Sequence, residues 1–453
     1  MHRTLLAILV SAAMAIQNAA NAQTNGTRFG LMTLDPGHFH ASLVQKFMYP
    51  DVDPVVHVYA RAGDDLAEHL KRIEGFNTRA DRPTHWQEEV YSQPDFFEKM
   101  LADRPGNIVV LAGKSVLKTD YILRSVQAGL NVLADKPMVV RPEDLPKLQE
   151  AFAAAASNHV LLYDIMTERY EITTLLQREF SRQPALFGEL EKGTALNPAV
   201  VFDSIHYISK TVAGAPLKRP AWFFDTSQTG EGITDVSTHL VDLAQFEAFP
   251  DTVLSPEDVT VVNAQRWTTK ITREQFQKVT GETDFPAFLQ PYVNGGVLDY
   301  RCNGSFTWRL RGIYVKVWLA WSFQPPGGSS DRLHSLLRGT RATLEIRQGP
   351  QENYKPVLYI KKAGGVDGQE FEASLADALK AVRANYPGIE IRRAGEEWQV
   401  VVPDKYDVGH EAHFAQVTEN YLRYLREGKL PDWEVPGMLT KYATIMRAYQ
   451  MSR

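Results

Sequence analysis

Cysteine is almost absent from this chain: Cys302 stands alone in 453 residues. No intrachain disulfide and no cysteine-rich zinc site can form, so stability must come from the buried core. Nothing around Cys302 marks an activated thiol, and it reads as a packed residue. A basic tract is also missing. The 49 basic and 54 acidic residues leave a formal charge of -5, too mild for a partner of nucleic acid. Long apolar runs are lacking, with one exception at the N-terminus. Met1-His2-Arg3, the run Thr4 to Ile16 and the small-residue site Ala20-Asn21-Ala22 have the layout of a secretory signal. That run is shorter than the roughly 18 to 20 residues of a spanning helix, and no second one follows. Residues 1–22 are therefore expected to be removed. An uncleaved anchor is the other use of such a segment. The mature chain is expected to be periplasmic or otherwise exported, with no membrane contact.

What is present divides in two. From residue 23 to 165, short apolar runs alternate with amphipathic ones, the pattern of a doubly wound, Rossmann-like parallel sheet. Strands are predicted at Phe29 to Leu34, Val55 to Ala60, Ile108 to Ala112, Val132 to Ala134 and Val160 to Tyr163. Helices are predicted at Ala41 to Met48, Asp64 to Ile73, Pro94 to Ala102, Lys118 to Ala128 and Pro142 to Ala156. Residues 166–453 change texture to an α+β domain. A helix at Ile172 to Phe180 precedes runs rich in β-branched and aromatic residues, Phe187 to Ala195 and Val297 to Trp321, which predict a largely antiparallel open sheet. Helices at His413 to Glu427 and Met438 to Tyr449 are expected to pack back on the body. Gln324 to Ser330 is a loop by composition.

A dinucleotide site needs glycines after the first strand, so that the backbone can approach the pyrophosphate. Here the turn reads Asp35-Pro36-Gly37-His38-Phe39-His40, and only Gly37 matches; Asp35 and His40 stand where the outer glycines belong. The second strand ends without an acid for the adenosine ribose. Asp64 and Asp65 come a few residues late, and Arg61 could instead attract a 2′-phosphate, so NAD and NADP both stay open. Ala112 and Gly113 close the third predicted strand and complete the crevice. His38 and His40 alternate as metal ligands do, with His239 a conceivable third. The preferred reading has one imidazole lining the cleft and the other capping the next helix, with no metal.

Two segments carry chemistry. Leu130-Asn131-Val132-Leu133-Ala134-Asp135-Lys136-Pro137 places a lysine at the carboxyl end of a buried strand, where doubly wound domains build active sites. A lysine there can donate to a substrate hydroxyl and lower its pKa. A surface lysine closing a turn is an equal reading of that segment alone. In Gly230-Glu231-Gly232-Ile233-Thr234-Asp235-Val236-Ser237-Thr238-His239-Leu240-Val241-Asp242, Asp235 and His239 are four apart and share a helix face, with Asp242 three further on. His239 can take a proton near neutral pH while Asp235 orients it or binds a hydroxyl.

The first segment, from Ala128, resembles the A-G-K-x-V-x-x-E-K-P signature of the Gfo/Idh/MocA (glucose-fructose oxidoreductase and inositol dehydrogenase) family. The second resembles that family's G-G-G-x-x-D-x-G-x-H-x-x-D segment, with Gly230, Gly232, Asp235, His239 and Asp242 in matching places. Glu231 and Ser237 replace two of its glycines, and Leu130 and Asp135 replace its lysine and glutamate. The resemblance runs from about Arg28 to Phe249. It implies that Lys136, Asp235 and His239 are catalytic, surrounding the carbon that exchanges hydride with a nicotinamide. It also implies that Asp35, Gly37, His38, Phe39, His40, Arg61, Ala112, Gly113, Asp135 and Lys136 bind the dinucleotide, with NAD favoured over NADP. Export implies that this cofactor is held tightly and recycled by a second sugar.

For the substrate, Glu168 and Arg169 follow the fifth predicted strand and should face the crevice, or else form an interdomain ion pair. His206, Lys210 and Trp222 could hydrogen-bond and stack on a sugar ring, with Asp235 beside them; Trp222 could equally be core. His410 and His413 read as capping or packing residues. The expectation is an exported oxidoreductase acting on a secondary alcohol of a sugar or glycoside, with oxidation at C3 one implied possibility, and a homo-oligomer. Two alternatives stand: glycoside cleavage through transient oxidation and elimination, and a non-catalytic sugar-binding protein on a degenerate Rossmann scaffold.

Overall fold

Every residue of β1 (Leu31–Leu34) and β4 (Ile108–Leu111) is buried, and only Thr33 interrupts their apolar runs. Runs without alternation belong to strands covered on both faces, and these two pair in parallel at the centre of a sheet, from Leu31 against Ile108 to Leu34 against Leu111. On the far side of β1 lie β2 (Val55–Tyr59) and β3 (Gln87–Tyr91); beyond β4 lie β5 (Asn131–Asp135) and β6 (Leu162–Ile165). The order 3-2-1-4-5-6, all parallel, is that of a doubly wound nucleotide-binding fold. The connections run through α1 (His40–Leu43), α2 (Asp64–Thr78), α3 (Phe96–Asp103), α4 (Ser115–Gln127) and α5 (Leu145–Ser157). The computed structural model describes residues 29–212, 215–326 and 331–452. The signal-like segment and part of the Gln324 to Ser330 loop lie outside the described residues. The sequence predicts five strands here, and the structure has six. The extra one, β3, is an edge strand with no fully buried residue, so it carries no apolar run to detect.

After α6 (Ile172–Ser181) the chain enters a ten-stranded sheet. The strand expected at Phe187 to Ala195 is not there. Gly188 and Gly193 turn the backbone at φ +76° and +65°, leaving only isolated bridges, and the strand proper is β7 (Val200–Tyr207). Next come α7 (Ser237–Ala248), β8 (Val259–Ile271), β9 (Val297–Leu310), β10 (Ile313–Ser322), β11 (Arg332–Arg338), β12 (Ala342–Arg347), β13 (Val357–Lys362), β14 (Glu390–Ala394) and β15 (Glu397–Val401). Nine strands run in the order β8, β9, β10, β7, β11, β12, β13, β15, β14, and the short pair Val293–Asn294 joins β9. All neighbours are antiparallel except β10 and β7. In β10, Val315, Val317, Leu319 and Trp321 are buried while the alternate residues are not, the period of a strand with one covered face.

The last two helices, α8 (His410–Glu427) and α9 (Glu434–Met451), return to the first sheet. Tyr421 donates to the Leu161 carbonyl at 2.9 Å. Tyr442 accepts from the Met138 amide at 3.1 Å and donates to Asp164 at 3.0 Å. Tyr421 thus holds the amino end of β6, and Tyr442 braces the carboxyl ends of β5 and β6, where the site lies.

Candidate active site

Lys136 follows β5 directly, with a cis bond to Pro137, and its Nζ donates to Asp235 Oδ1 at 2.7 Å. The two sequence segments thus meet, 99 residues apart. Asp235 does not sit on the helix face expected for it. It lies in the winding turn ahead of α7, donating to the Glu231 carbonyl at 2.9 Å and accepting from the Thr238 amide at 3.2 Å. Gly232 makes that placement possible, because a Cβ there would stand 1.9 Å from the Cys302 carbonyl oxygen. Cys302 itself is buried, with burial pushing its thiol up to about 12. Burial works against charge on Lys136, but Asp235 and Asp135 outweigh it and raise its pKa, so it stays an ammonium. His239 is pushed the other way. Burial, then the Lys136 charge, holds its pKa well below the ordinary value, and its Nδ1 is buried with no hydrogen-bond partner.

Beside this pair, Asp135 Oδ2 lies 3.0 Å from His40 Nδ1 and 3.6 Å from His38 Nδ1. Neither imidazole caps α1, whose N-cap makes no side-chain hydrogen bond. Burial keeps both rings neutral. It would also raise the Asp135 pKa, but His40, His38 and Lys118 hold that carboxyl well below its usual range. Lys118 escaped the sequence reading. It is buried and donates to the Asp135 carbonyl at 2.9 Å, with the Lys136 carbonyl at 3.5 Å, so it fixes the turn that carries Lys136. Burial pushes its ammonium down to about 8. A signal did exist: Lys118 shares the helical spacing of the buried Ile122, Ser125 and Val126.

The carboxyl ends of β1 and β4 form the switch point where such folds bind dinucleotides. Asp35 turns there at φ +48°, and Gly113 packs so tightly that a Cβ would stand 2.1 Å from the Asp35 carbonyl oxygen. The His38 amide donates to the Ala112 carbonyl at 2.8 Å, and the Phe39 ring lies 4.5 Å from that of His40. Asp65 reaches the turn despite its late place in the sequence: its Oδ2 stands 3.3 Å from where a Cβ of Gly37 would be. Arg61 and Lys114 act electrostatically on the half-buried Asp35. A bare glycine, an acid for ribose hydroxyls and two bases for phosphates fit a nicotinamide dinucleotide. The departure is Trp222. Expected at the sugar, it instead covers Gly37 at 3.2 Å from the same Cβ position and donates from Nε1 to Asp65 at 3.0 Å.

On the substrate side, Glu168 stands near Lys136 and Lys210, and burial, then Glu171 and Asp331, pushes its carboxyl up to about 7. His206 Nδ1 lies 3.0 Å from Asp331, and Lys210 donates to the same carboxylate. Asp331 was not foreseen, since it borders a loop with no distinguishing pattern. His410, read as a capping residue, faces the site: its Nε2 is 3.9 Å from Glu168 and its ring 5.9 Å from that of His40. His413 is packed, only 6% exposed. Arg169 leaves the cleft altogether. It grips Asp242 at 2.6 and 2.7 Å and Glu434 at 2.9 Å, a buried ion-pair cluster within the second domain rather than the interdomain pair that was the other expectation. A separate groove of about 300 Å³ runs past Val140, Arg141, Glu231 and Arg301. Its charges are spoken for, Arg141 by Asp144 at 2.6 Å and Glu231 by Arg266 at 2.8 Å.

Residues 61–164 match the family "Oxidoreductase family, NAD-binding Rossmann fold", and residues 176–453 match "Putative oxidoreductase C terminal domain". The first match begins after β1, so the glycine-poor turn lies outside it. A crystal structure of a "putative oxidoreductase" from Parabacteroides merdae is 49% identical, covering 94% of this chain and 98% of that one, with a TM-score of 0.92. Levoglucosan dehydrogenase in complex with NADH and levoglucosan has the same fold at 15% identity, with 94% and 98% covered and a TM-score of 0.59. GenD2 from gentamicin A biosynthesis, in complex with NAD, matches at 15% identity, with 94% and 95% covered and a TM-score of 0.56. A comparison with curated proteins gave no match.

Proposed function

This chain belongs to the Gfo/Idh/MocA oxidoreductases, with their NAD-binding Rossmann fold, and on that premise we propose that it is an exported dehydrogenase of a sugar or glycoside secondary alcohol. The observation that carries the reading is the 2.7 Å contact of Lys136 with Asp235 at the carboxyl end of β5. There a fixed ammonium and a neutral imidazole share one cleft. Lys136, held charged, donates to the substrate hydroxyl oxygen and stabilises the negative charge that develops on it. His239, held neutral, takes the hydroxyl proton. Asp235 fixes the direction of the ammonium and accepts from a neighbouring hydroxyl. A nicotinamide held beside them would supply the acceptor for the hydride of the carbinol carbon. Gly37, Asp65, Arg61 and Lys114 would hold the dinucleotide, and the Asp65 carboxylate favours NAD, since it would repel a 2′-phosphate. Glu168, His206, Lys210 and Asp331 supply the polar groups that suit a polyhydroxylated ring. The apolar N-terminal run and its small-residue site support export, and an exported chain must carry its cofactor with it.

Mass spectrometry of the small molecules released by denaturing the purified protein tests the reading. A stoichiometric nicotinamide dinucleotide is expected, reduced on adding the right glycoside and re-oxidised by a keto sugar. A chain that releases no dinucleotide, and gives no absorbance change with any added dinucleotide and sugar, overturns it.

A further inference from the structure

Three donors from two distant segments converge beside the catalytic lysine, and the proposed reaction uses none of them. His38 and His40 come from the turn after β1, and Asp135 ends β5. One potential ligand atom of each lies within 4.8 Å of the others. A zinc-class ion with ligand bonds of about 2.0 to 2.1 Å keeps its tetrahedral donors about 3.3 Å apart. The two separations from Asp135 Oδ2, 3.0 Å to His40 and 3.6 Å to His38, bracket that value. His38 Nδ1 is the telling atom. It is buried and stands 3.6 Å from the carboxylate, longer than a good hydrogen bond, with no nearer polar partner among the described residues, so the pair is held at a separation that an ion between them would suit better than a proton.

We propose that His38, His40 and Asp135 form a site for one divalent first-row transition-metal ion of the zinc class. Two imidazole nitrogens and one carboxylate oxygen are the donor set such ions prefer, and too few oxygens for Mg²⁺ or Ca²⁺. The protein supplies three donors, and the His38 ring is 28% exposed on its outer side, which leaves a fourth position for a small ligand arriving from the cleft. Three protein ligands with one exchangeable position is the open arrangement of catalytic rather than structural zinc. The nearby cations are engaged elsewhere: Lys136 with Asp235, and Lys118 with the backbone carbonyl of Asp135 rather than its carboxylate. Lys118 thereby orients the residue that would bind the ion, a supporting contact of the kind metal ligands usually have.

The test uses the full mature chain and needs no dinucleotide or sugar, so its outcome is independent of the dehydrogenase reading. Chelator-treated protein is titrated with Co²⁺ and followed by visible absorption, with metal content after desalting and the melting temperature as second and third readouts. One Co²⁺ per chain is expected, with the intense visible bands of a four-coordinate ion and a raised melting temperature. His38→Ala should abolish all three. Its metal-free melting temperature reports what the His38 ring contributes by packing on Phe39 and His40, so the loss of the Co²⁺-induced rise is read against that baseline. His40→Gln, a substitution that keeps a polar group at a buried position, should weaken Co²⁺ binding at least tenfold. The proposal fails if the parent takes up no Co²⁺, or if His38→Ala binds it as the parent does.

Discussion

Two clusters of buried ionisable groups flank α7, and they are built on opposite principles. On one side Arg169, Asp242, Glu434, Lys441 and Asp164 close on one another: Lys441 lies 2.8 Å from Asp242 and 2.7 Å from Asp164, and Arg169 bridges Asp242 and Glu434. Each charged group there meets an opposite one, although Asp164 Oδ1 has no hydrogen-bond partner among the described residues, and the side chains come from α7, α9, β6 and the turn after it. On the other side Lys136 and Asp235 pair, but among the described residues the buried Nδ1 atoms of the uncharged His38 and His239 rings have no partner within hydrogen-bond distance. The closed cluster ties the two halves of the molecule together. The open one keeps unspent donors and acceptors for something not part of the chain. Asp242 and His239 stand three residues apart on one helix, yet they serve these two different ends.

The sharpest way to break this contrast is to mutate one member of each cluster and ask which property falls. Lys136→Ala should cut turnover by about two to three orders of magnitude, the usual cost of removing one donor to a developing oxyanion, while leaving the denaturation midpoint near that of the parent. Single-turnover reduction of the bound dinucleotide measures it. Asp242→Ala should do the reverse. Removing the carboxylate takes from Arg169 and Lys441 one of the two carboxylates each one holds, leaving two buried cations undercompensated; breaking a buried pair costs up to about 3 to 5 kcal/mol, read as a lower midpoint in urea. If Asp242→Ala instead kept its stability and lost only turnover, the division between the two clusters would be wrong.

The division was half legible in the sequence. Lys136, Asp235 and His239 were visible because each sits in a local motif, and a motif survives in one dimension. Arg169 was placed in the substrate cleft because it follows a strand end; nothing local reveals that its partners lie 73 and 265 residues away. The same holds for Asp331, whose importance comes from His206 and Lys210 across a sheet. The strands of the first domain followed from its apolar runs, except where β3 lay at an edge and needed none. The second sheet was recognised by composition, but the run at Phe187 to Ala195 misled, since its turning glycines outweigh its apolar residues. Trp222 was misplaced for a plainer reason: an aromatic beside a basic segment looks the same over a sugar as over a nucleotide turn.

Glu168 offers a finer probe of the open cluster through pH. Burial, with Glu171 and Asp331 close by, lifts its carboxyl to about 7, so it loses its proton across neutral pH and adds negative charge beside Lys136. A transition near pH 7 in kcat/KM is expected for the parent and should vanish in Glu168→Gln. Stability should respond with a definite sign. The folded pKa lies above the unfolded one, so the favourable contribution is complete below about pH 4.5 and is lost as pH rises through 7. Glu168→Gln is spared that loss, and its melting temperature should gain on the parent from pH 5 to 8. Parallel curves would mean that the carboxyl is solvated and outside the open cluster.

The smallest effect concerns the entrance to the cofactor turn. Trp222 gives Asp65 the hydrogen bond that a ribose hydroxyl would otherwise give, and its ring lies on Gly37, where a dinucleotide backbone must approach. The chain therefore holds an internal competitor in part of its own cofactor seat. A single hydrogen bond of this kind is worth about 0.5 to 1.5 kcal/mol net, or roughly a two- to tenfold change in affinity. Trp222→Ala should accordingly bind NAD faster and up to about tenfold tighter, measured by stopped-flow on cofactor-stripped protein. Trp222→Phe, which keeps a ring but loses the N–H, should fall between. The opposite order, with weakest binding in Trp222→Ala, would make the indole a wall of the nucleotide seat. Trp222 would then join the open cluster as one of its binding surfaces, and the competition would have to be sought elsewhere.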